Sequence, residues 1–216
     1  MRVIAASLAL LVSGAVAARP ATAQGGRAGT LVVQQGGREI GREEVSLRRT
    51  QGRDGVTGST LQVTSRYPNV SPAVQITTSL DRGADGQLEK FVLEGQTAEG
   101  PARVLAAGAG ARLIVKSLVQ GTESGRELPG GPDVVLLDEN VYALFSAVAD
   151  LATPQGARLT AIYPRTGRRV LFTARRSGDQ VQLSGELRGS LSVGPQGTLQ
   201  RLELPATGTV VSRIER

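Results

Sequence analysis

The residue types that most often carry catalysis are missing from this chain or stand outside any catalytic motif. The sequence has no His and no Cys. Their absence excludes a Ser-His-Asp triad, a Cys-His pair and a zinc site built on His or Cys ligands. A Ser-Lys arrangement would need one of the two lysines, Lys90 or Lys116, as its base. Both lie in predicted strands with no surrounding motif, so the sequence predicts no activated nucleophile.

Two pairs of adjacent carboxylates could in principle supply the acid and base of a glycoside hydrolase. Glu43 and Glu44 are neighbours in a predicted strand, where consecutive side chains point to opposite faces of the sheet. Asp138 and Glu139 stand where a helix is expected to begin, and a capping role explains them without chemistry. We therefore expect no enzyme, no catalytic residue and no cofactor.

Two short motifs resemble parts of ligand-binding loops. The segment DRGADG has spaced carboxylates, but Gly83 and Val92 stand where a calcium-binding EF-hand loop needs oxygen ligands. The segment AGAGAR, 107–112, lacks the third Gly, the Lys and the following helix of a phosphate-binding loop. Both segments are therefore predicted to be strand and turn, and no metal site is predicted.

The N-terminal segment has the three parts of a secretory signal peptide. Arg2 is followed by an apolar stretch over 3–17, and Ala21-Thr22-Ala23 fits the cleavage rule for small residues. The apolar stretch is shorter than the ~20 residues of a membrane-spanning helix. We expect a signal peptide at 1–23, a linker at 24–29 and a single β-rich domain at 30–216. This predicts a periplasmic or secreted bacterial protein whose mature chain has no transmembrane segment.

Most of the remaining chain has the pattern of short strands separated by polar turns. Gly36-Gly37 predicts a two-residue hairpin turn, and Gly41 predicts an irregularity in the second strand. In the segment STLQVTSRY, Leu61, Val63 and Ser65 alternate onto one face. Roughly a dozen such strands follow one another at the spacing of all-β folds. The predicted fold class is mainly β, with an antiparallel curved sheet forming a half-barrel or barrel.

One segment, VVLLDENVYALFSAVADLA, has helical spacing instead. We predict an amphipathic helix over 138–152, capped by Asp138 and packed on the concave face of the sheet. Its apolar side either completes a filled core or encloses a cavity for a lipid together with the sheet. The candidate residues of such a ligand cavity are Val141, Leu144, Phe145 and Val148.

Arginines gather in the segment after the helix, and they form a candidate basic patch. Such a patch could contact lipid head groups or another anionic envelope polymer, or it could simply protect strand edges. Nucleic acid is not an expected partner, because the chain has few aromatic residues and is expected to be exported. The residues of the patch are Arg165, Arg168, Arg169, Arg175 and Arg176.

A signal peptide, a meander of strands and one helix between two groups of strands together resemble the periplasmic lipoprotein carriers of the LolA/LolB type. The segment GTLQRLELP, 197–205, is similar to the C-terminus of uncharacterised envelope β-proteins. The resemblance implies an exported half-barrel that binds an apolar or amphiphilic ligand such as a lipid, or an envelope protein. The alternative expectation is a structural or interaction domain with a filled core and no ligand.

Overall fold

The computed structural model describes residues 27–51 and 57–214. The predicted signal peptide lies outside the described residues. The first strand begins at Arg27, so residues 27–29 of the predicted linker belong to the sheet. The strands are β1 (Arg27–Gln35), β2 (Arg38–Gln51), β3 (Thr57–Tyr67), β4 (Val74–Arg82), β5 (Leu88–Thr97), β6 (Gly100–Ala109), β7 (Arg112–Val119), β8 (Thr122–Pro129), β9 (Val134–Leu136), β10 (Ala157–Tyr163), β11 (Arg168–Ser177), β12 (Gln180–Gly185), β13 (Gly189–Val193), β14 (Leu199–Leu204) and β15 (Thr209–Ile214).

These strands form one curved sheet in the order β8-β7-β6-β5-β4-β3-β2-β1-β15-β14-β13-β12-β11-β10-β9. The neighbours are antiparallel except for β9 and β10, which are parallel. Within the described residues no ladder joins β8 to β9, so the sheet is curled but not closed. The predicted mainly β fold with a curved antiparallel sheet and one helix is thereby confirmed.

The first hairpin follows the predicted turn chemistry. Gly36 and Gly37 have φ angles of 55° and 80°, a region that glycine enters without steric cost. On the far side of the turn, Val33 pairs with Gly41 while Gln34 pairs with Glu39, so Ile40 is an extra residue in β2. This is the irregularity predicted near Gly41, and it is a β-bulge.

The pairing register assigns side chains to two faces of the sheet. One face carries the core and the helix, and a row across it reads Leu31, Glu43, Ser65, Ile76, Gly95 and Ala102. Directly opposed residues share a face and neighbours along a strand alternate. The other face, called the outer face below, therefore carries the parallel row Thr30, Glu44, Thr64, Thr77, Glu94 and Arg103.

The helix is shorter than predicted, and its predicted cap is wrong. A 3-10 turn at Tyr142–Leu144 leads into the α-helix α1 (Phe145–Leu151). Asp138 accepts a hydrogen bond from the backbone N–H of Asn140 at 2.9 Å and lies in a turn before the helix. An Asp side chain readily bonds to the N–H two residues ahead in this way, and that local bond competes with a capping role.

The helix packs on the concave side of the sheet, against β11, β13 and β14. Its apolar face joins one continuous core with the strands, built mainly from Val, Leu, Ile and Ala. No helix in the described part of the chain combines the length and apolar character needed to cross a membrane.

Candidate functional site

A buried carboxylate lies at the start of the helical segment. Glu43 is fully buried on the core face of β2. Its Oε1 accepts hydrogen bonds from the Tyr67 hydroxyl at 2.5 Å and the Ser65 hydroxyl at 3.3 Å. The backbone N–H of Tyr142 donates to the same oxygen at 2.7 Å, and that of Ala143 donates to Oε2 at 2.8 Å. Glu43 therefore satisfies the free N–H groups of the 3-10 turn, which a local cap would normally do.

The neighbouring residues of β2 and β3 hold Tyr67 in position for this bond. A side chain at Gly41 would collide with the Tyr67 ring and with the backbone of Arg66. Glycine at the bulge thus leaves the space in which the ring lies. Tyr67 also packs edge-on against Tyr142, with ring centroids 6.5 Å apart and an angle of 76° between the planes. The strand and the helical segment are joined by both a hydrogen bond and an aromatic contact.

Burial raises the pKa values of Glu43 and Tyr67 in this cluster. Loss of solvent raises the pKa of Glu43 from 4.5 to about 7, and its hydrogen bonds oppose that rise. Burial and the nearby Glu43 carboxyl raise the pKa of Tyr67 above its ordinary value. A raised pKa in a cleft would suggest catalysis. Glu43 has no solvent-accessible surface, however, and every partner is part of the fold, so the cluster acts as a structural anchor.

The opposite end of the helix is held by cations from the strands. The Arg82 guanidinium donates to the Ala147 carbonyl at 3.1 Å, and that of Arg176 donates to the Ala149 carbonyl at 3.2 Å. The Ala149 carbonyl belongs to the last turn of the helix and the Ala147 carbonyl precedes it, and positive charge is favourable near this end. The helix is thus fixed at its N-terminal end by a carboxylate and at its C-terminal end by two guanidinium groups.

The four residues predicted to line a ligand cavity lie in the packed core. Val141, Leu144, Phe145 and Val148 are all buried and belong to the continuous hydrophobic cluster. A cavity elsewhere on the sheet has none of them in its lining. The structure brings these four together, and it surrounds them with side chains of the sheet.

That cavity lies chiefly on the outer face, across β1 to β5, and its volume is about 930 Å³. Volumes of this size are typical of small-molecule sites. We call it the outer groove. Its outer-face residues form two adjacent rows, and most of them carry hydroxyl, amide or carboxylate groups: Ala28, Thr30, Glu44, Ser46, Gln62, Thr64, Thr77, Ser79, Val92 and Glu94. Thr198, Gln200, Arg213 and Ile214 complete one end.

The outer groove could not be identified from the sequence. Short polar side chains in alternate strand positions are typical of any solvent-facing sheet surface. Only the twist between neighbouring strands shapes the two rows into a groove on the face opposite the helix. The half-buried Val92 at its border is the one apolar interruption in the part of the rows that β3 to β5 supply.

The five arginines of the candidate basic patch do not form one surface. Arg165 is buried and pairs with Asp138 at 2.7 Å and Glu99 at 2.9 Å. Along β11, Arg169 and Arg175 alternate with the buried residues and face outward. Arg168 lies over the Tyr163 ring, 3.9 Å from its centroid, and Arg176 binds the helix. A role in binding an anion remains a prediction.

Arg165 has a structural position that its sequence context did not predict. Its guanidinium contacts the turn before the helix through Asp138 and Asn140, and the β5–β6 turn through Glu99. Arg126 of β8 makes a second such contact, donating to the Thr166 carbonyl at 2.6 Å. The Arg126 bond connects the end strand β8 to the turn between β10 and β11, near the other end of the sheet, where no ladder joins the two ends. Within the described ranges, no cluster of three or more acidic residues is arranged to hold a metal ion.

Comparison with known proteins adds little to this geometry. No family model matches the chain, and no curated protein matches it. Among solved structures, the crystal structure of a DUF1089 family protein from Pseudomonas aeruginosa aligns with a TM-score of 0.44 and 14% identity. The alignment covers 92% of this chain and 97% of that chain. At this level of similarity the match establishes neither a common family nor a shared function.

Proposed function

We propose that this chain is an exported, non-enzymatic protein that binds an amphiphilic ligand in the outer groove. The observation that carries the proposal is that the cavity lies on the outer face of the sheet and not beside the helix. The helix side of the sheet is filled by a continuous core, whereas the outer face carries a cavity of about 930 Å³. A cavity of this size accommodates a ligand of small-molecule dimensions.

The groove favours an uncharged head group that forms many hydrogen bonds. Its hydroxyl and amide side chains both donate and accept. Its acidic residues are engaged with arginines at the surface, since Glu44 pairs with Arg66 at 3.0 Å and Glu94 pairs with Arg103 at 3.9 Å. Arg213 is the one cation among the lining residues, so the lining offers no cluster of positive groups for an anionic head group.

The test is to fill the groove without disturbing the core. Thr77 is exposed in the middle of β4 and lines the groove, so Thr77→Trp places a large ring in it. Gln75→Trp is the matched control, because Gln75 is exposed on the same strand and face but does not line the groove. Binding of monodecanoylglycerol is measured by calorimetry. We expect Thr77→Trp to weaken binding at least about tenfold and Gln75→Trp to leave it unchanged.

The result that overturns the proposal is equal binding, or no binding, in all three proteins. Export is tested separately by sequencing the N-terminus of the protein isolated from its bacterial host. The proposed signal peptide predicts a mature chain that begins at Gln24.

A structural or interaction domain is the second candidate. The observation in its favour is that the helix is bonded to the sheet at both ends and surrounded by packed side chains. This candidate predicts that no amphiphile binds in the groove. It also predicts that lipid extraction of the protein purified from its host yields no bound molecule.

A further inference from the structure

The outer face of β6 and β7 carries a cluster of exposed apolar side chains beside the outer groove. Leu105, Ile114 and Leu118 are 39%, 47% and 44% exposed. They are three of the five large hydrophobic residues that are exposed among the described residues, and they lie on two adjacent strands. Leaving such residues uncovered on neighbouring strands is unfavourable, and contiguous exposed apolar surface often marks a binding site.

The pairing register connects this cluster to the groove. Val92 lines the groove and stands directly opposite Leu105 on the next strand. Leu105 stands opposite Lys116, so Ile114 and Leu118 are its two diagonal neighbours on β7, roughly 7–8 Å away. An apolar path therefore leaves the groove at β5, crosses Leu105 on β6 and reaches β7 on both sides of the exposed Lys116, which lies between Ile114 and Leu118 on the same face. We call Val92, Leu105, Ile114 and Leu118 the apolar strip.

Charged side chains border the strip and limit its width. Arg103 pairs with Glu94 at 3.9 Å, and Arg112 pairs with Glu127 at 3.2 Å. The strip crosses three strands, a distance of roughly 10 Å. A stable protein interface covers about 800 Å² per partner, which three exposed side chains cannot supply. A single hydrocarbon chain suits the strip better, because it is narrow and makes no demand for polar partners.

We infer that the apolar strip holds the acyl chain of the ligand whose head group lies in the outer groove. This inference rests on the proposed function, and it specifies the ligand as a single-chain amphiphile or one chain of a larger lipid. The head would be fixed by the hydrogen-bonding rows of β1 to β5. The chain would cross Val92 and lie against Leu105, Ile114 and Leu118, replacing water on these side chains.

The experiment varies the length of the ligand's acyl chain. Binding of monoacylglycerols with octanoyl, decanoyl and dodecanoyl chains is measured by calorimetry below the concentrations at which they aggregate. Each fully buried CH₂ contributes ~0.8 kcal/mol. Because the strip is open on one side, we expect affinity to rise about threefold to tenfold for every two carbons added. In the double variant Leu105→Gln, Ile114→Thr, we expect the octanoyl affinity to change little and the rise with chain length to disappear.

Leu171→Gln is the matched control, because Leu171 is also an exposed leucine, 58% exposed, and lies on the distant strand β11. It should keep the full dependence on chain length. If wild-type protein binds all three chains with one affinity, or the double variant keeps the rise, the strip assignment fails and the groove function stands. If the wild-type protein binds none of the three, the proposed function and the strip assignment both fail.

Discussion

Tyr67 donates a 2.5 Å hydrogen bond to Glu43, and the same carboxylate receives the backbone N–H groups of Tyr142 and Ala143. Residues 99 positions apart in the chain are joined by this contact. A strand side chain thus supplies the cap that the helical segment lacks locally, since Val141 makes no side-chain cap bond. The position of the helix on the sheet depends on one buried carboxyl group.

Replacing this carboxyl group should destabilise the fold. Glu43→Ala leaves two backbone N–H groups and the Tyr67 hydroxyl buried without their acceptor, and each such group costs about 1–3 kcal/mol. We expect the free energy of unfolding to fall by about 3–5 kcal/mol in urea denaturation. The control is Glu44→Ala, the exposed neighbour whose pairing with Arg66 is at the surface, and its loss should stay below ~1 kcal/mol. Equal losses in the two variants would contradict the anchoring role.

Stability should also depend on pH through Glu43. Its pKa rises from 4.5 in the unfolded chain to about 7 in the fold, so between these values the folded state binds a proton that the unfolded state releases. The stabilisation is fully present below pH 4.5 and is lost as pH rises to about 7. The slope approaches ~1.4 kcal/mol per pH unit.

The measurement is the free energy of unfolding of wild type and Glu43→Gln between those two pH values. Glutamine does not titrate, so the difference between the two curves isolates Glu43. We expect the variant's curve to be flatter, and Glu44→Gln to follow the wild type. A wild-type curve parallel to that of Glu43→Gln would show that the carboxyl group has the same pKa in both states.

Breaking the buried ion pair of Arg165 should be costly. Its side chain is 8% exposed and its partner Asp138 is 2% exposed. Arg165→Ala leaves Asp138 buried without a counter-charge, which typically costs about 3–5 kcal/mol. Arg168→Ala is the control, since Arg168 and Glu139 are 50% and 60% exposed. Its loss should stay below ~1 kcal/mol, and thermal unfolding of the two variants provides the comparison.

The substitution Phe145→Ala distinguishes a filled core from a ligand cavity on the helix side. The side chain is 3% exposed and lies in the continuous core, so Phe145→Ala should cost about 3–5 kcal/mol. Binding of monodecanoylglycerol to the outer groove should be unchanged at a temperature where the variant remains folded. A small loss of stability with altered binding would instead place the ligand beside the helix.

The alternation of residues in the strands predicted much of the sheet. Leu61, Val63 and Ser65 face the core as expected, because the two-residue period of a strand is a local property of its backbone. The Gly36-Gly37 turn was equally readable, since it depends on positive φ angles that glycine adopts readily. The bulge beside Gly41 was predicted from the glycine that interrupts the alternation of β2. The helix was predicted at the right place but with the wrong bounds and the wrong cap.

Only the tertiary structure decided which residue caps the helical segment, where the groove lies and which groups the arginines contact. Glu43 belongs to an ordinary pair of carboxylates in the sequence, and nothing local indicates that it meets the backbone at Tyr142. The outer groove arises from twist summed over several strand pairs, and each pair contributes only a small angle. Composition and periodicity therefore determined which elements form and which face is apolar. The long-range pairing of those elements determined which polar groups are buried together and where the surface becomes concave.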